Sequence, residues 1–337
     1  MGERPQRNLA LELVRATEAA AMVAARLGER GEREAAGLAA AQAMRLVLQT
    51  IDMDGTIVIG EGEKGETPVL FRGEIVGTGR PPAVDVAVDP IEGPPTKSLD
   101  RPNTLAMVAL ADRWSLWDPG PCRHLEVIAA KGPARDAIDL NRGPVENLRA
   151  IAAALNRSPQ DMTVFVVDEP RHEALVQTLQ AAGVYVRRSP GGFVLGAILA
   201  AMDGTGVDVL MGIARASEAV LAATAVKALG GALQARRAPQ DDTERVRLEA
   251  TLGPRLREIL GVDDLVRSDD VFFAATGITD GALLRGVQFH RDSVVTDSIV
   301  MRARTGTVRY VRALHRLDKL MGFSQIDYTG EGRLPYR

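Results

Sequence analysis

Apolar and polar positions alternate along the chain with two different periods. Apolar residues three and four positions apart, rich in Ala and Leu, predict helices over residues 8–27 and 34–49. Short apolar runs that end in turn residues predict strands instead. In the first half of the chain, strands are predicted at residues 56–60, 83–89, 104–110 and 124–129.

From residue 144 onward, predicted helices and strands follow one another regularly. Their order is helix 144–155, strand 163–167, helix 172–182, strand 184–187, helix 193–202, strand 207–213 and helix 217–229. This βαβ rhythm is typical of a parallel sheet. After a polar linker at 238–243 and one more helix, segments near 271–275, 298–304 and 307–314 predict antiparallel strands that close a sheet.

The pattern therefore predicts an α/β fold in two lobes. Residues 1–157 should form an α+β N-terminal lobe that carries two acidic turns. Residues 158–337 should form an α/β C-terminal lobe with the closing antiparallel strands.

Composition narrows the class of protein. The 337 residues include 46% hydrophobic and 25% charged side chains, enough for a sizeable core. A formal net charge of −3 gives no general attraction to nucleic acid. The single cysteine, Cys122, excludes an intrachain disulfide and fits a reducing compartment. Because there is neither a secretory signal nor an apolar run of about 18 residues, we expect a cytoplasmic protein with no membrane partner.

Two acidic turns carry the candidate chemistry. Residues 60–63 read Gly-Glu-Gly-Glu and residues 89–93 read Asp-Pro-Ile-Glu-Gly, each directly after an apolar run. The carboxylates should therefore lie at strand ends. The proline after Asp89 cannot continue a ladder, so the chain turns there and presents Glu92 on the same side. Carboxylates and a backbone carbonyl, here that of Ile91, are oxygen ligands that suit Mg²⁺ or Mn²⁺.

Simpler interpretations of the same residues stay open. Glu61 and Glu63 can be solvated turn residues, and Asp89 and Glu92 can cap a helix. Residues 60–65 also match the dinucleotide-binding fingerprint Gly-x-Gly-x-x-Gly. A pyrophosphate would have to approach two glutamates there, and this motif alone often matches by chance, so a nicotinamide-linked enzyme is only a third alternative.

Five segments in order resemble class II fructose-1,6-bisphosphatases. They are residues 56–63, 88–93, 170–172, 207–210 and 275–279, and the similarity runs from about residue 8 to residue 318. The family belongs to the lithium-sensitive, metal-dependent phosphatases. The resemblance therefore implies a layered α-β-α-β-α fold, an Mg²⁺ or Mn²⁺ cofactor and a sugar phosphate substrate. We also expect a homo-oligomer, either a dimer or a tetramer.

The resemblance assigns roles to individual residues. It makes Glu61, Asp89 and Glu92 catalytic through the metal ions that they would hold. The implied metal ligands are Glu61, Asp89, the Ile91 carbonyl, Glu92 and Glu218. Arg171 corresponds to a contact with the substrate phosphate, and His124 to a tyrosine that lines the sugar site. The implied substrate-binding residues are Gly93, Pro94, His124, Arg171, Gly191, Gly192 and Arg215.

The chain departs from the family pattern at several of these positions. Ala36 and Gly65 replace aspartates, and Pro94 replaces a threonine that helps to orient the attacking water. Residues 191–193 read Gly-Gly-Phe where the family has Asp-Gly-Asp to hold sugar hydroxyls, and Arg215 replaces a glycine.

Two classes of function follow from this mixture. The first is a metal-dependent phosphatase that acts on fructose 1,6-bisphosphate or a related sugar phosphate in carbohydrate metabolism, with an altered site. The second is a catalytically impaired homologue that binds a sugar phosphate or acts as a regulatory subunit. The replaced residues favour the second, whereas the retained carboxylates favour the first.

Overall fold

The computed structural model describes residues 8–322, 324 and 326–328 of the chain. The strands within this part are β1 (Asp54–Ile59), β2 (Ile75–Val76), β3 (Ala83–Asp89), β4 (Leu105–Asp112), β5 (His124–Ala130), β6 (Thr163–Val167), β7 (Tyr185–Ser189), β8 (Val209–Arg215), β9 (Ala232–Arg237), β10 (Ile259–Gly261), β11 (Phe272–Gly277), β12 (Gln288–Phe289), β13 (Ser293–Arg302) and β14 (Thr307–Arg316). The helices are α1 (Ala10–Glu29), α2 (Arg33–Leu48), α3 (Pro95–Ser98), α4 (Pro144–Ala154), α5 (Glu173–Ala181), α6 (Phe193–Ala201), α7 (Ala216–Ala228), α8 (Asp242–Leu252), α9 (Val262–Leu265) and α10 (Leu317–Leu320).

Two sheets organise these strands. The first is 8-stranded, with the order β12-β13-β11-β4-β3-β1-β2 and with β14 paired to β13. The second is 6-stranded, with the order β10-β9-β5-β8-β6-β7. Strands β1 and β3 run parallel in the first sheet, and β6 runs parallel to β7 and β8 in the second. Parallel neighbours place their carboxyl ends at one edge of a sheet, so each sheet has an edge suited to a site.

Helices separate and cover the two sheets. Helices α6 and α7 lie between them, and their apolar side chains share one buried cluster with residues of both sheets. Helices α1 and α2 pack on the outer face of the first sheet. Helices α4 and α5 cover the outer face of the second. This arrangement confirms the α/β class and the α-β-α-β-α layering.

Most predicted elements agree with the structure because their apolar periods are local signals. The strands predicted at 83–89 and 163–167 coincide with β3 and β6. The strand predicted at 298–304 begins earlier, at Ser293. The sequence analysis missed β9, whose segment Ala-Leu-Gln-Ala-Arg-Arg mixes apolar and polar residues and pairs with the distant β5.

Sheet membership crosses the predicted boundary between the lobes at residue 157. Strand β5, before this boundary, belongs to the second sheet, whereas β11 and β13, after it, belong to the first. The division into lobes of residues 1–157 and 158–337 stays a prediction. Residues 1–7, 323, 325 and 329–337 of these lobes lie outside the described residues.

A helix that spans a membrane has to be both long and apolar. Among residues 8–322, 324 and 326–328, no helix combines the length and the apolar character needed to cross a bilayer.

Candidate active site

A cavity of about 270 Å³ lies where the carboxyl ends of β3, β6 and β8 come together. Turns from both sheets therefore face one cleft. The predicted site residues that line it are Glu92, Gly93, Pro94, His124, Arg171, Gly191, Gly192, Arg215 and Glu218. Glu61, Asp89 and Ile91 do not line this cavity.

The first acidic turn is shaped by a close approach at Gly60. A Cβ atom on Gly60 would lie 2.0 Å from the Leu70 carbonyl oxygen, so only glycine fits there. The next residue, Glu61, donates its backbone N–H to the same oxygen at 3.0 Å. Glu63 is exposed and pairs with Arg72 at 3.4 Å, as expected for a solvated turn residue.

The second acidic turn presents Glu92 to the cavity. Gly93 has a φ of +83°, and a Cβ there would lie 2.8 Å from the Ser98 hydroxyl oxygen, so glycine suits this position. Glu92 is 5% exposed, and its Oε1 accepts a hydrogen bond from the backbone N–H of Val194 at 3.0 Å. Its Oε2 is buried and has no hydrogen-bond partner among the described residues. One oxygen of Glu92 therefore caps α6, and the other is able to accept a hydrogen bond or hold a cation.

Four carboxylates form an acidic cluster, defined as Glu61, Asp89, Glu92 and Glu218. Burial raises the pKa of Glu61 to about 6, although Arg215 opposes the shift. Burial and then the charge of Glu61 raise the pKa of Asp89 to about 8. Burial, Asp89 and Glu218 raise the pKa of Glu92 well above its ordinary value. Carboxyls with raised pKa values that repel one another are typical of functional sites.

Arg215 is bound to one member of this cluster. It occupies the N-cap position of α7, and its backbone N–H donates to Glu218 Oε2 at 2.8 Å. Its side-chain Nη2 and Nε donate to Glu218 Oε1 at 2.9 and 3.2 Å. Glu218 therefore both caps α7 and neutralises Arg215.

One wall of the cavity is built around Arg171. Its Nε donates to Glu169 Oε2 at 2.5 Å, which holds the guanidinium at the cavity wall. The next residue, His172, is 2% exposed and accepts a hydrogen bond from the Ile213 N–H at Nε2, 2.8 Å away. Its Nδ1 lies 2.7 Å from the Val167 carbonyl oxygen, so the imidazole is neutral with its proton on Nδ1. His172 thus links the ends of β6 and β8 beside Arg171.

His124 faces the same cavity from the second sheet. It is the cross-strand neighbour of Arg215 in the pairing of β5 with β8. Burial and then the charge of Arg171 lower the pKa of His124 below its ordinary value. Its Nδ1 is buried and has no hydrogen-bond partner within the described part of the chain. This nitrogen lies 4.0 Å from Glu244 Oε2, on the side of α8.

The positions that are expected from the sequence to depart from the family pattern have varied surroundings. Ala36 is fully buried in the apolar cluster that α1 and α2 form with the first sheet. Gly65 and Pro94 are exposed, and the helix after Pro94 is only four residues long. Phe193 is 4% exposed and belongs to the core between the sheets, although it also contributes to the cavity wall.

The sequence analysis missed Arg101. This residue lines the cavity with Arg171 and Arg215, so three guanidinium groups share one site. Its Nη1 donates to the Pro190 carbonyl oxygen at 2.5 Å, across 89 positions of sequence. No local pattern marks such a residue, because its position depends on a contact between two distant loops.

Within the described ranges, no three His, Cys, Asp or Glu side chains stand together in an arrangement that holds a metal. Two of the predicted ligands have other partners, since Glu218 binds Arg215 and Glu92 binds the Val194 N–H. The ligand set Glu61, Asp89, Ile91, Glu92 and Glu218 therefore stays a prediction.

Comparison with known proteins shows the family of the chain. A family described as bacterial fructose-1,6-bisphosphatase, glpX-encoded, matches residues 7–315. Fructose-1,6-bisphosphatase 1 class 2 of Escherichia coli strain K12 is 38% identical over 327 residues, which is 93% of this chain and 97% of that protein. Fructose-1,6-bisphosphatase class 2 of Shigella flexneri matches with the same identity and coverage. The chain belongs to the family of bacterial class 2 fructose-1,6-bisphosphatases.

Proposed function

We propose that this protein is a phosphoric monoester hydrolase that removes phosphate from a sugar phosphate, fructose 1,6-bisphosphate or a close relative of it. The observation that carries the proposal is one cavity in which three guanidinium groups meet a buried acidic residue, Glu92. Cations are needed to bind a phosphate, and carboxylates to support its hydrolysis. Relatives that match almost the whole chain carry the name fructose-1,6-bisphosphatase.

The arginines account for substrate binding. The planar fork of Arg171 suits two phosphate oxygens at once, and Glu169 keeps it in place. Arg101 is held by the Pro190 carbonyl and adds a second positive charge. His124 lines the same cavity and contributes to the wall that would face the sugar.

The family implies a divalent cation, and part of the acidic cluster fits one. The carboxylates of Glu61 and Asp89 and the carbonyl of Ile91 are the oxygen donors that Mg²⁺ or Mn²⁺ prefers. The unpartnered Oε2 of Glu92 supports a cation nearby. Glu218 fits less well, because Arg215 already holds both of its oxygens. When bound, such an ion polarises a phosphoryl oxygen and lowers the pKa of a water molecule.

A second candidate is a catalytically impaired homologue that binds a sugar phosphate or serves as a regulatory subunit. The ion pair between Arg215 and Glu218 favours it, because this pair removes one carboxylate from metal binding. Pro94 favours it as well, since a proline has no hydroxyl with which to orient a water. The phosphate-binding side of the cavity suits either function.

Phosphate release separates the two candidates. Purified protein is incubated with a panel of sugar phosphates and bisphosphates, with Mg²⁺ and then Mn²⁺, beside the variant Glu92→Ala. The phosphatase proposal expects release with at least one substrate and its loss in the variant. No release, or equal release from both proteins, would leave the impaired homologue, and calorimetric titration with the same panel would then measure binding.

We propose two further properties that follow from this function. The protein acts in the cytoplasm, in carbohydrate metabolism such as gluconeogenesis, and it assembles as a homo-oligomer, a dimer or a tetramer. Light scattering coupled to gel filtration measures the mass in solution, and a mass of one chain would contradict the assembly.

A further inference from the structure

We propose that the guanidinium of Arg215 is a built-in cation of the acidic cluster, which competes with divalent metal ions for Glu218 and weakens their binding. The inference concerns the site of the proposed function and rests on that site being the active cleft. It adds a role for a residue that replaces a glycine of the family pattern.

Glu218 binds Arg215 through both of its carboxylate oxygens. Both carboxylate oxygens are occupied, Oε2 by the Arg215 backbone N–H and Oε1 by two side-chain nitrogens. The Glu218 side chain is 14% exposed, so water competes little for it. A metal ion that binds Glu218 must share these oxygens with the donors or displace them, and the adjacent guanidinium repels the ion in either case.

The influence of Arg215 extends beyond its direct partner. Arg215 lines the same cavity as Glu92, the other buried carboxylate of the cluster at this cleft. It therefore places a positive charge beside the acidic cluster, as a bound cation would. A glycine at this position has no side chain with which to do so, and a cluster of repelling carboxylates would then depend on metal ions.

The test compares the affinity for Mn²⁺ in the absence of substrate. Free Mn²⁺ is measured by electron paramagnetic resonance during titration of four proteins: wild type, Arg215→Gln, Arg215→Lys and the control Arg245→Gln. Arg245 pairs with Asp242 and Glu249 on the exposed side of α8, so its variant makes the same chemical change away from the cluster.

We expect Arg215→Gln to bind Mn²⁺ about tenfold more tightly than wild type, because one repelling charge is gone and one carboxylate is freed. The variant Arg245→Gln should match wild type. Arg215→Lys should lie closer to wild type than Arg215→Gln does, because it keeps the charge. Equal affinities in all four proteins, or weaker binding by Arg215→Gln, would overturn the proposal.

Thermal unfolding provides a second readout on the same proteins. In EDTA, Arg215→Gln should unfold at a lower temperature than wild type, and Mn²⁺ should raise its unfolding temperature more. A variant that folds with Mn²⁺ but not in EDTA supports the proposal. One that is unfolded under both conditions shows a purely structural role for Arg215 and overturns it. Neither readout needs turnover, so failure of the phosphatase proposal leaves this test intact.

Discussion

Strand β3 carries two aspartates whose surroundings are opposite. Asp85, near the start of the strand, is 2% exposed, and its Oδ2 accepts hydrogen bonds from the backbone N–H groups of Ser115 and Leu116 at 2.8 and 3.1 Å. The Nε of Arg113 lies 3.8 Å from its Oδ1. Asp89, at the end of the strand, has the like charges of Glu61 and Glu218 nearby, and its pKa is raised to about 8.

The difference separates a carboxylate that supports the fold from one that opposes it. A buried carboxylate with donors around it helps to fix the loop that supplies them. A buried carboxylate among like charges lowers the free energy of unfolding, and proteins retain such groups mainly at functional sites. The comparison therefore predicts that Asp85 serves stability and that Asp89 serves function.

The largest expected effect comes from Asp89→Asn. Because the acidic cluster would lose a charge that the proposed reaction needs, the rate of phosphate release should fall by about 10²–10⁴. Steady-state assays with the best substrate of the panel measure the fall. A rate within the error of the wild-type value would contradict the functional role of Asp89.

The variant Asp85→Ala tests whether Asp85 stabilises the fold. It leaves two buried N–H groups without an acceptor and removes a partner of Arg113, so the free energy of unfolding should fall by about 3 kcal/mol. Urea denaturation measures this quantity. Phosphate release per folded molecule should be unchanged, and a selective loss of activity in a fully stable variant would contradict the assignment.

A smaller effect is expected from Arg171→Lys on the phosphate side. Lysine keeps the charge but loses the planar fork, so KM should rise about tenfold with little change in kcat. The control Arg245→Lys changes an exposed arginine of α8 and should leave both constants alone. If kcat fell and KM stayed constant, Arg171 would act on the transition state rather than on substrate binding.

The sequence was sufficient to locate both acidic turns and the strands that support them. Strand β3 coincides with its prediction because the largely apolar run before Asp89 gives a strong local signal. The same reasoning could not predict the partners of these carboxylates. The contact from Glu92 to Val194 spans 102 positions of sequence, and it depends on how α6 packs between the sheets.

The cationic side of the cavity was harder to predict for the same reason. Arg171 was identified only through resemblance to a family, and Arg101 was missed because its partner is Pro190. Strand β9 was missed because its segment mixes apolar and polar residues. Its position in the second sheet is set by pairing with β5 and β10. Long-range contacts decide these positions, and a single sequence does not encode them as a local period.

The central claim is that Asp89 lowers the free energy of unfolding and is retained for function. The pH dependence of unfolding tests this claim most directly. The pKa of Asp89 is about 8 in the folded chain and 3.8 ordinarily, so the folded state holds an extra proton between these values. In EDTA, the free energy of unfolding contributed by Asp89 should therefore fall as pH rises through this window.

Urea denaturation of wild type and Asp89→Asn in EDTA, at about pH 5 and again above the pKa of Asp89, measures this contribution. The account predicts that wild type loses more stability than the variant between the two conditions. It also predicts that the variant is the more stable protein at the higher pH. A variant that is less stable than wild type at the higher pH, with the same pH dependence, would contradict the claim and make Asp89 a structural residue like Asp85.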